Sequence, residues 1–335
     1  MLNRVFKYLI ASLLVLILIS ARFAYADNTL PLVRVGVLNF GTVNWELEII
    51  KRHDLDTDNN INIQVVPLGS KNATHVALQG NAVDIIVTDW VWVSRQRFAN
   101  RDYTFVPYST STGSVIIKSD SGIASLADLK NARFGVAGGP VDKSWILLSA
   151  YARKELDQDL SRMVMPNFAA PPLLNELFIR GDLDAVLNYW HYSARLQALG
   201  NKTLISINDI LPSLGVPRPL PMIGWVFSEK WAQSNPELIK QFILTSSNAK
   251  QLLANSDEPW NEIRANMKVD SEGMFLSLVN AYRQGIPGCF SQLDLDSMSR
   301  AYSVLARYGG KHLTGEASQL SPGTVWQNSV QGNCD

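Results

Sequence analysis

Short apolar runs alternate with amphipathic segments from the start of the mature-looking sequence, and this alternation limits the chain to the α/β class. Val33 to Phe40 (VRVGVLNF) reads as a buried strand. Val43 to Asp54 spaces Trp45, Leu47 and Ile50 along one helical face. Ile61 to Leu68 (INIQVVPL) is a second strand, and Ser70 caps a helix running to Gly80. Ala82 to Thr88 (AVDIIVT) is a third strand, and Asp89 caps a helix from Trp90 to Ala99. Strand-helix-strand-helix-strand predicts a parallel sheet with right-handed crossovers.

A second series begins at Gly113. Strands are expected at Gly113 to Lys118, Ala132 to Gly138, Met163 to Asn167, Asp184 to Tyr189 and Thr203 to Ile207, with helices between them. Pro-rich residues 212–221 (PSLGVPRPLP) interrupt the pattern, Met222 to Phe227 reads as a returning strand, and the remainder is mostly helical. The expected architecture is two α/β lobes joined by a two-strand hinge around a ligand cleft. Residues 27–112 and 222–335 form the first lobe, and residues 113–221 form the second. Two crossings between lobes allow closure about a hinge.

The first 26 residues read as an export signal. Arg4 and Lys7 precede an apolar run of 13 residues, Tyr8 to Ser20, and Ala24-Tyr25-Ala26 gives a small-x-small cleavage site after Ala26. A run of 13 is short for a membrane span, which needs about 20 residues. The whole sequence balances 30 basic against 30 acidic residues, but the signal carries three of the bases and no acid. The mature chain is therefore mildly acidic, which argues against nucleic acid as a partner. Both cysteines, Cys289 and Cys334, follow the signal, and an even count in an exported chain predicts a disulfide. The four histidines have no metal-ligand spacing.

Several segments carry a family resemblance: PLGSKNATHVALQGNAVDIIVTDW, SDSGIASLADLKNARFGVAGGP and LFIRGDLDAVLNYW. Over about residues 30–255 the chain resembles the type II periplasmic solute-binding proteins of ATP-binding-cassette importers, in their sulfonate, taurine, nitrate and thiamine-pyrimidine branch. TDWVWVSRQR, AGGPVDKSW, APPLLNE, LNYWHYSARL and MIGWVFSEKW look like a narrower subgroup associated with quinoprotein alcohol oxidation. The resemblance implies a periplasmic location, an importer permease as partner, and pyrroloquinoline quinone (PQQ) as a transported ligand rather than a catalytic cofactor. It implies no enzyme. The related thiamine-pyrimidine synthases use a cysteine-rich motif that two cysteines cannot supply.

In open α/β sheets, ligands sit beyond the carboxyl ends of the strands. The first strand leads to Asn39 and Trp45, the second to Ser70 and Lys71, and the third to Asp89, Trp90 and Arg95. In the second lobe Gly139, Lys143, Ser144 and Trp145 follow one strand, and Asn188, Trp190 and His191 close another. Trp225 lies on the returning strand. These residues form the candidate ligand-binding set. Six of the nine tryptophans map to this edge, where each serves either as a stacking platform or as core. Lys71 and Lys143 open helices, against the dipole preference, so each either binds an anion or is solvated. Arg95 and Arg195 reach either inward to a carboxylate or toward surface partners. Asp89 and Asp142 are helix caps or partners for a cationic group. Planar rings together with cationic groups favour a flat aromatic carboxylate such as PQQ. Alkanesulfonate, taurine or nitrate is the alternative, as is an accessory role on a periplasmic quinoprotein dehydrogenase.

Overall fold

The computed structural model describes residues 30–331 and Cys334. The export signal lies outside the described residues. Among those described, no helix is long and apolar enough to cross a membrane.

Ten strands form two five-stranded sheets with the same plan. The first contains β1 (Leu32–Leu38), β2 (Asn62–Leu68), β3 (Ile85–Thr88), β4 (Tyr103–Ser109) and β10 (Ile223–Ser228), in the order β2-β1-β3-β10-β4. The second contains β5 (Ser114–Ile117), β6 (Arg133–Ala137), β7 (Met165–Ala169), β8 (Ala185–Asn188) and β9 (Lys202–Ser206), in the order β7-β6-β8-β5-β9. Each sheet defines one lobe.

The sheets are mixed, not purely parallel. β1 pairs parallel with β2 and β3, but β10 runs antiparallel to β3 and β4. Likewise β6 pairs parallel with β7 and β8, and β5 runs antiparallel to β8 and β9. The two antiparallel strands are those that follow the crossings between sheets. Such a strand enters its sheet from the side of the crossing, where the neighbouring strands end, so it runs opposite to them.

β4 is a strand that sequence patterning does not reveal. Its YTFVPYS carries Pro107, which reads as a breaker. β4 lies at the edge of its sheet, and the position that pairs with Pro107 is Gly224. An edge strand tolerates a residue that cannot donate on one side.

The helices that shape the site are α1 (Val43–Arg52), α2 (Lys71–Gln79), α3 (Trp90–Phe98), α4 (Lys143–Leu156), α5 (Pro171–Arg180), α6 (Trp190–Ala198), α7 (Pro236–Asn255), α8 (Glu272–Gln284) and α9 (Gln292–Thr314). The helix expected over Pro259 to Met267 is two short pieces, Glu258–Glu262 and Arg264–Met267. α9 continues past the expected Tyr308 and kinks at Gly310, whose φ is 58°.

α8 and α9 touch both lobes. Ser277 Oγ on α8 donates to Ala194 O of α6 at 2.9 Å, and Tyr282 on the same helix donates to Glu46 of α1 at 3.1 Å. Tyr302 of α9 packs on Trp90 of α3 at 6.2 Å between ring centroids. A Cβ on Gly309 would stand 2.8 Å from Ile146 Cδ1 of α4, so the glycine lets the two helices approach closely there. One apolar cluster accordingly joins Trp90 and Val91, Ile146 and Leu148, and Met298 and Leu305. Cys289 and Cys334 are disulfide-bonded, which ties the end of the chain to the loop before α9.

A buried polar network anchors the first lobe. Glu46 is fully buried and pairs with Lys250 of α7. It also accepts Ser246 Oγ at 2.6 Å, and Ser246 in turn accepts Trp225 Nε1 at 3.0 Å. The Lys250 ammonium lies 3.4 Å from the centre of the Tyr108 ring. Every polar atom in this chain of contacts has a partner, which is what burial of a charge requires.

Candidate ligand cleft

The carboxyl ends of β1, β2 and β3 face those of β6 and β8, and the helices that follow begin at the cleft. Ser70 caps α2 through Oγ, which accepts Ala73 N–H at 3.1 Å. Asp89 caps α3 by accepting Trp92 N–H at 3.0 Å. Asp142 caps α4, accepting Ser144 N–H at 2.9 Å and Trp145 N–H at 3.3 Å. Each cap satisfies amide donors that the helix cannot pair itself. The caps also fix the residues that follow, and two of those are lysines.

Lys71 and Lys143 converge on one carboxylate. Lys71, from the first lobe, pairs with Asp89 Oδ2. Lys143, from the second lobe, reaches the same oxygen at 3.1 Å. The Asp89 side chain is 4% exposed and the Lys143 side chain 17%, whereas Lys71 is half exposed at the rim. Burial alone would raise the Asp89 carboxyl pKa, but the two ammonium groups and the cap hold it well below the usual range. Burial lowers the Lys143 pKa, and Asp89 and then Asp142 more than reverse this.

The loop before α4 is built for close approach. Gly138 and Gly139 have φ of 84° and 89°, a left-handed conformation that other residues adopt only under strain. A Cβ on Gly138 would stand 2.6 Å from Asp142 Oδ2 and 2.7 Å from the Tyr189 hydroxyl. At Gly139 nothing lies within 4 Å of that position, so its backbone faces open space.

His75 and Tyr189 are two members of this group that the candidate set lacks. His75 stacks on Trp92 at 4.1 Å between centroids, and its Nε2 lies 2.9 Å from Thr88 Oγ1. Burial and then Lys71 push its pKa down to about 4, so it is neutral. The sequence signal was its position four residues after Lys71, on the same face of α2. Burial first, then Asp142 and Asp89, raise the Tyr189 hydroxyl pKa. Tyr189 directly precedes Trp190, and its side chain was not legible from that position.

The structure separates the tryptophans. Trp225 is 1% exposed and sits between Tyr108 and Phe242 inside the first lobe. Trp145 is 5% exposed and packs against Phe134 and Phe168 in the second. Trp90 is fully buried against Tyr302, with its Nε1 unpaired. Trp90 and Trp145 face the interior because a residue in the first turn of a helix that packs on its sheet can point back into that sheet, and Trp225 does so from the core face of β10. Trp45 is buried edge-on to Trp260 and Trp190. Trp190 is half-buried and contacts His191, whose buried Nδ1 has no partner.

The remaining candidates are placed as follows. Asn39 is exposed at the end of β1, held by its N–H to Leu68 O at 3.1 Å. Ser144 Oγ faces the first crossing, 3.6 Å from where Gly113 would carry a Cβ. Asn188 is 1% exposed and spends its amide on Pro171 O and Asn175 Oδ1, which makes it scaffolding. Arg95 is exposed beside Gly315. Arg195 donates to Met267 O and Lys268 O, holding α6 against the C-terminal helices. Among the described residues, no group of three or more His, Cys, Asp or Glu could hold a metal ion.

No curated protein sequence matches the chain. Solved structures share its fold at low identity. The aliphatic sulphonate binding protein SsuA of Escherichia coli superposes with a TM-score of 0.71 at 16% identity, covering 91% of this chain and 94% of that one. The alkanesulfonate-binding SsuA of Xanthomonas axonopodis, bound to MOPS, gives 0.65 at 16%, covering 89% and 99%. A sulfonate-binding SsuA described as putative, from Methylobacillus flagellatus, gives 0.61 at 12%, covering 90% and 92%. The architecture is thus that of a periplasmic binding protein: two α/β lobes on a two-strand hinge. The family model described as NMT1/THI5 like matches residues 57–258, more than half the sequence. The chain belongs to the NMT1/THI5-like family.

Proposed function

We propose that this protein is a periplasmic solute-binding protein that closes on a small organic anion and delivers it to an importer permease. The observation that carries this reading is the convergence of Lys71 and Lys143, from opposite lobes, on one buried site at helix N-termini. A cation pair assembled only when the lobes meet couples anion binding to closure. Phe40, Val141 and Tyr189 are exposed at the same strand ends and supply an apolar rim for the organic part of the ligand. The moving bodies are residues 27–112 with 222–335, and residues 113–221. The protein is exported by its N-terminal signal, needs no catalytic cofactor and meets the membrane only through the permease.

A sulfonate-type ligand is favoured, as in the sulfonate-binding relatives of the same fold. PQQ is the second reading, and Trp190 beside His191 favours it. With Trp145 and Trp225 turned inward, that one ring carries the stacking argument. The contact set we propose is Asn39, Ser70, Lys71, Asp89, Gly139, Lys143, Ser144, Trp190 and His191, with Tyr189 added.

Tryptophan fluorescence of the exported protein, titrated with ethanesulfonate, taurine and PQQ, tests the reading. A saturable one-to-one response to ethanesulfonate or taurine is expected. Strong quenching by the quinone alone would select the second reading, and no response to any of them would overturn the function.

A further inference from the structure

The two cleft lysines are already neutralised. Asp89 Oδ2 accepts both Lys71 and Lys143, and Asp142, whose carboxyl pKa burial raises against the pull of Lys143, lies close enough to interact electrostatically with both. His75, which interacts electrostatically with Lys71 and Asp89, is neutral. Thr88 is uncharged, and the exposed Arg95 is the remaining cation that acts on His75. With both carboxylates ionised, two ammonium groups and two carboxylates sum to zero where the lobes meet.

That sum decides which ligand charge fits. One acidic group brings the site to −1, and a zwitterion leaves it at zero. A ligand with two or three carboxylates or sulfonates leaves an excess of −2 or −3 without partners. Burying unpaired charge of that size is strongly unfavourable. Asp89 is also the group a ligand acid must replace, because it occupies the point where the lysines meet.

We propose that Asp89 is a built-in counter-ion that selects ligands by charge, admitting a single acidic group, with or without an amine, and rejecting polyanions. This rests on the anion-binding reading above. A ligand acid displaces the Asp89 oxygen from one lysine, and the other lysine keeps Asp89 paired. The cap role of Asp89 is separable from its charge, since asparagine caps helices as well as aspartate.

The test is Asp89→Asn in the full exported protein, with Asp142→Asn as a second variant that also keeps a capping side chain. Melting temperature is read in sodium sulfate and in sodium chloride of equal ionic strength. Either variant leaves the lysines in excess, so sulfate should raise its melting temperature by several degrees over chloride, while the wild type shows little difference. Binding of ethanedisulfonate relative to ethanesulfonate should rise tenfold or more in the variant. An equal sulfate response in wild type and variants would overturn the proposal, whether or not a sulfonate binds. A sulfate response gained by the variant, with no sulfonate bound by any form, would keep the counter-ion and sink the transport reading.

Discussion

Asp89 of the first lobe and Lys143 of the second stand 3.1 Å apart, so the lobes meet through a charge pair where helix N-termini converge. Apolar contacts accompany this pair: Trp90 packs on Tyr302 within the first lobe, and Trp45 meets Trp190 edge-on between the lobes. The lobes thus meet through a polar contact and an apolar one, and the C-terminal helices touch both lobes.

Trp190 and Trp225 should respond oppositely to truncation. Trp225→Ala removes a ring buried between Tyr108 and Phe242 and the indole N–H that donates to Ser246 Oγ. Urea denaturation should show a loss of about 3–5 kcal/mol, with ligand affinity of the folded fraction unchanged. Trp190→Ala should weaken ligand binding about tenfold, the equivalent of about 1.4 kcal/mol. Equal behaviour of the two would mean that Trp190 is also only core.

The Glu46–Lys250 pair should be costly to break singly. Glu46→Gln or Lys250→Met leaves one buried charge without its partner, an effect of about 3–5 kcal/mol. The double variant should lose less than the sum of the two, because it leaves neither charge stranded. Additive losses in denaturant unfolding would show that the two charges are not coupled.

Stability should fall as the pH drops from about 6.5 toward about 4. Burial and Lys71 push the His75 pKa to about 4, and burial and then Arg195 push that of His191 to about 3. Unfolding restores both to about 6.5. Within that window the unfolded chain binds more protons, so the folded state loses stability as the pH falls, and above it the contribution is complete. Asp89, held below the usual carboxyl range, titrates beneath the window. Melting temperatures from pH 7 to pH 4 should decline in the wild type and decline less in a His75→Gln, His191→Gln double variant. Parallel curves would contradict the assignment.

The disulfide closes a 45-residue separation. Chain entropy assigns such a loop about 4 kcal/mol. A Cys289→Ser, Cys334→Ser variant should therefore unfold at a clearly lower temperature, as should the reduced wild type. No change in either would mean that the C-terminal segment is held by packing alone.

Much of the fold was legible in local chemistry. Ser70, Asp89 and Asp142 cap helices as side-chain preference dictates, and the β-branched runs at Val33 and Ile85 are strands. Pro107 hid β4, because tolerance at a sheet edge depends on neighbours that a single segment does not reveal. The tryptophans were harder. A position just beyond a strand says that a residue is near the cleft, not which way its side chain turns, and Trp90, Trp145 and Trp225 turn inward. Lys71 and Lys143 were readable as unusual helix openings, but their meeting on Asp89 depends on how two separate lobes come together.

Isothermal titration of the exported protein and of its Lys143→Ala variant with ethanesulfonate and taurine tests the central claim most directly. The account predicts one-to-one binding of at least one of them by the wild type, weakened tenfold or more in the variant, with circular dichroism unchanged. Equal affinity in the two proteins, or no heat from either ligand, would contradict it.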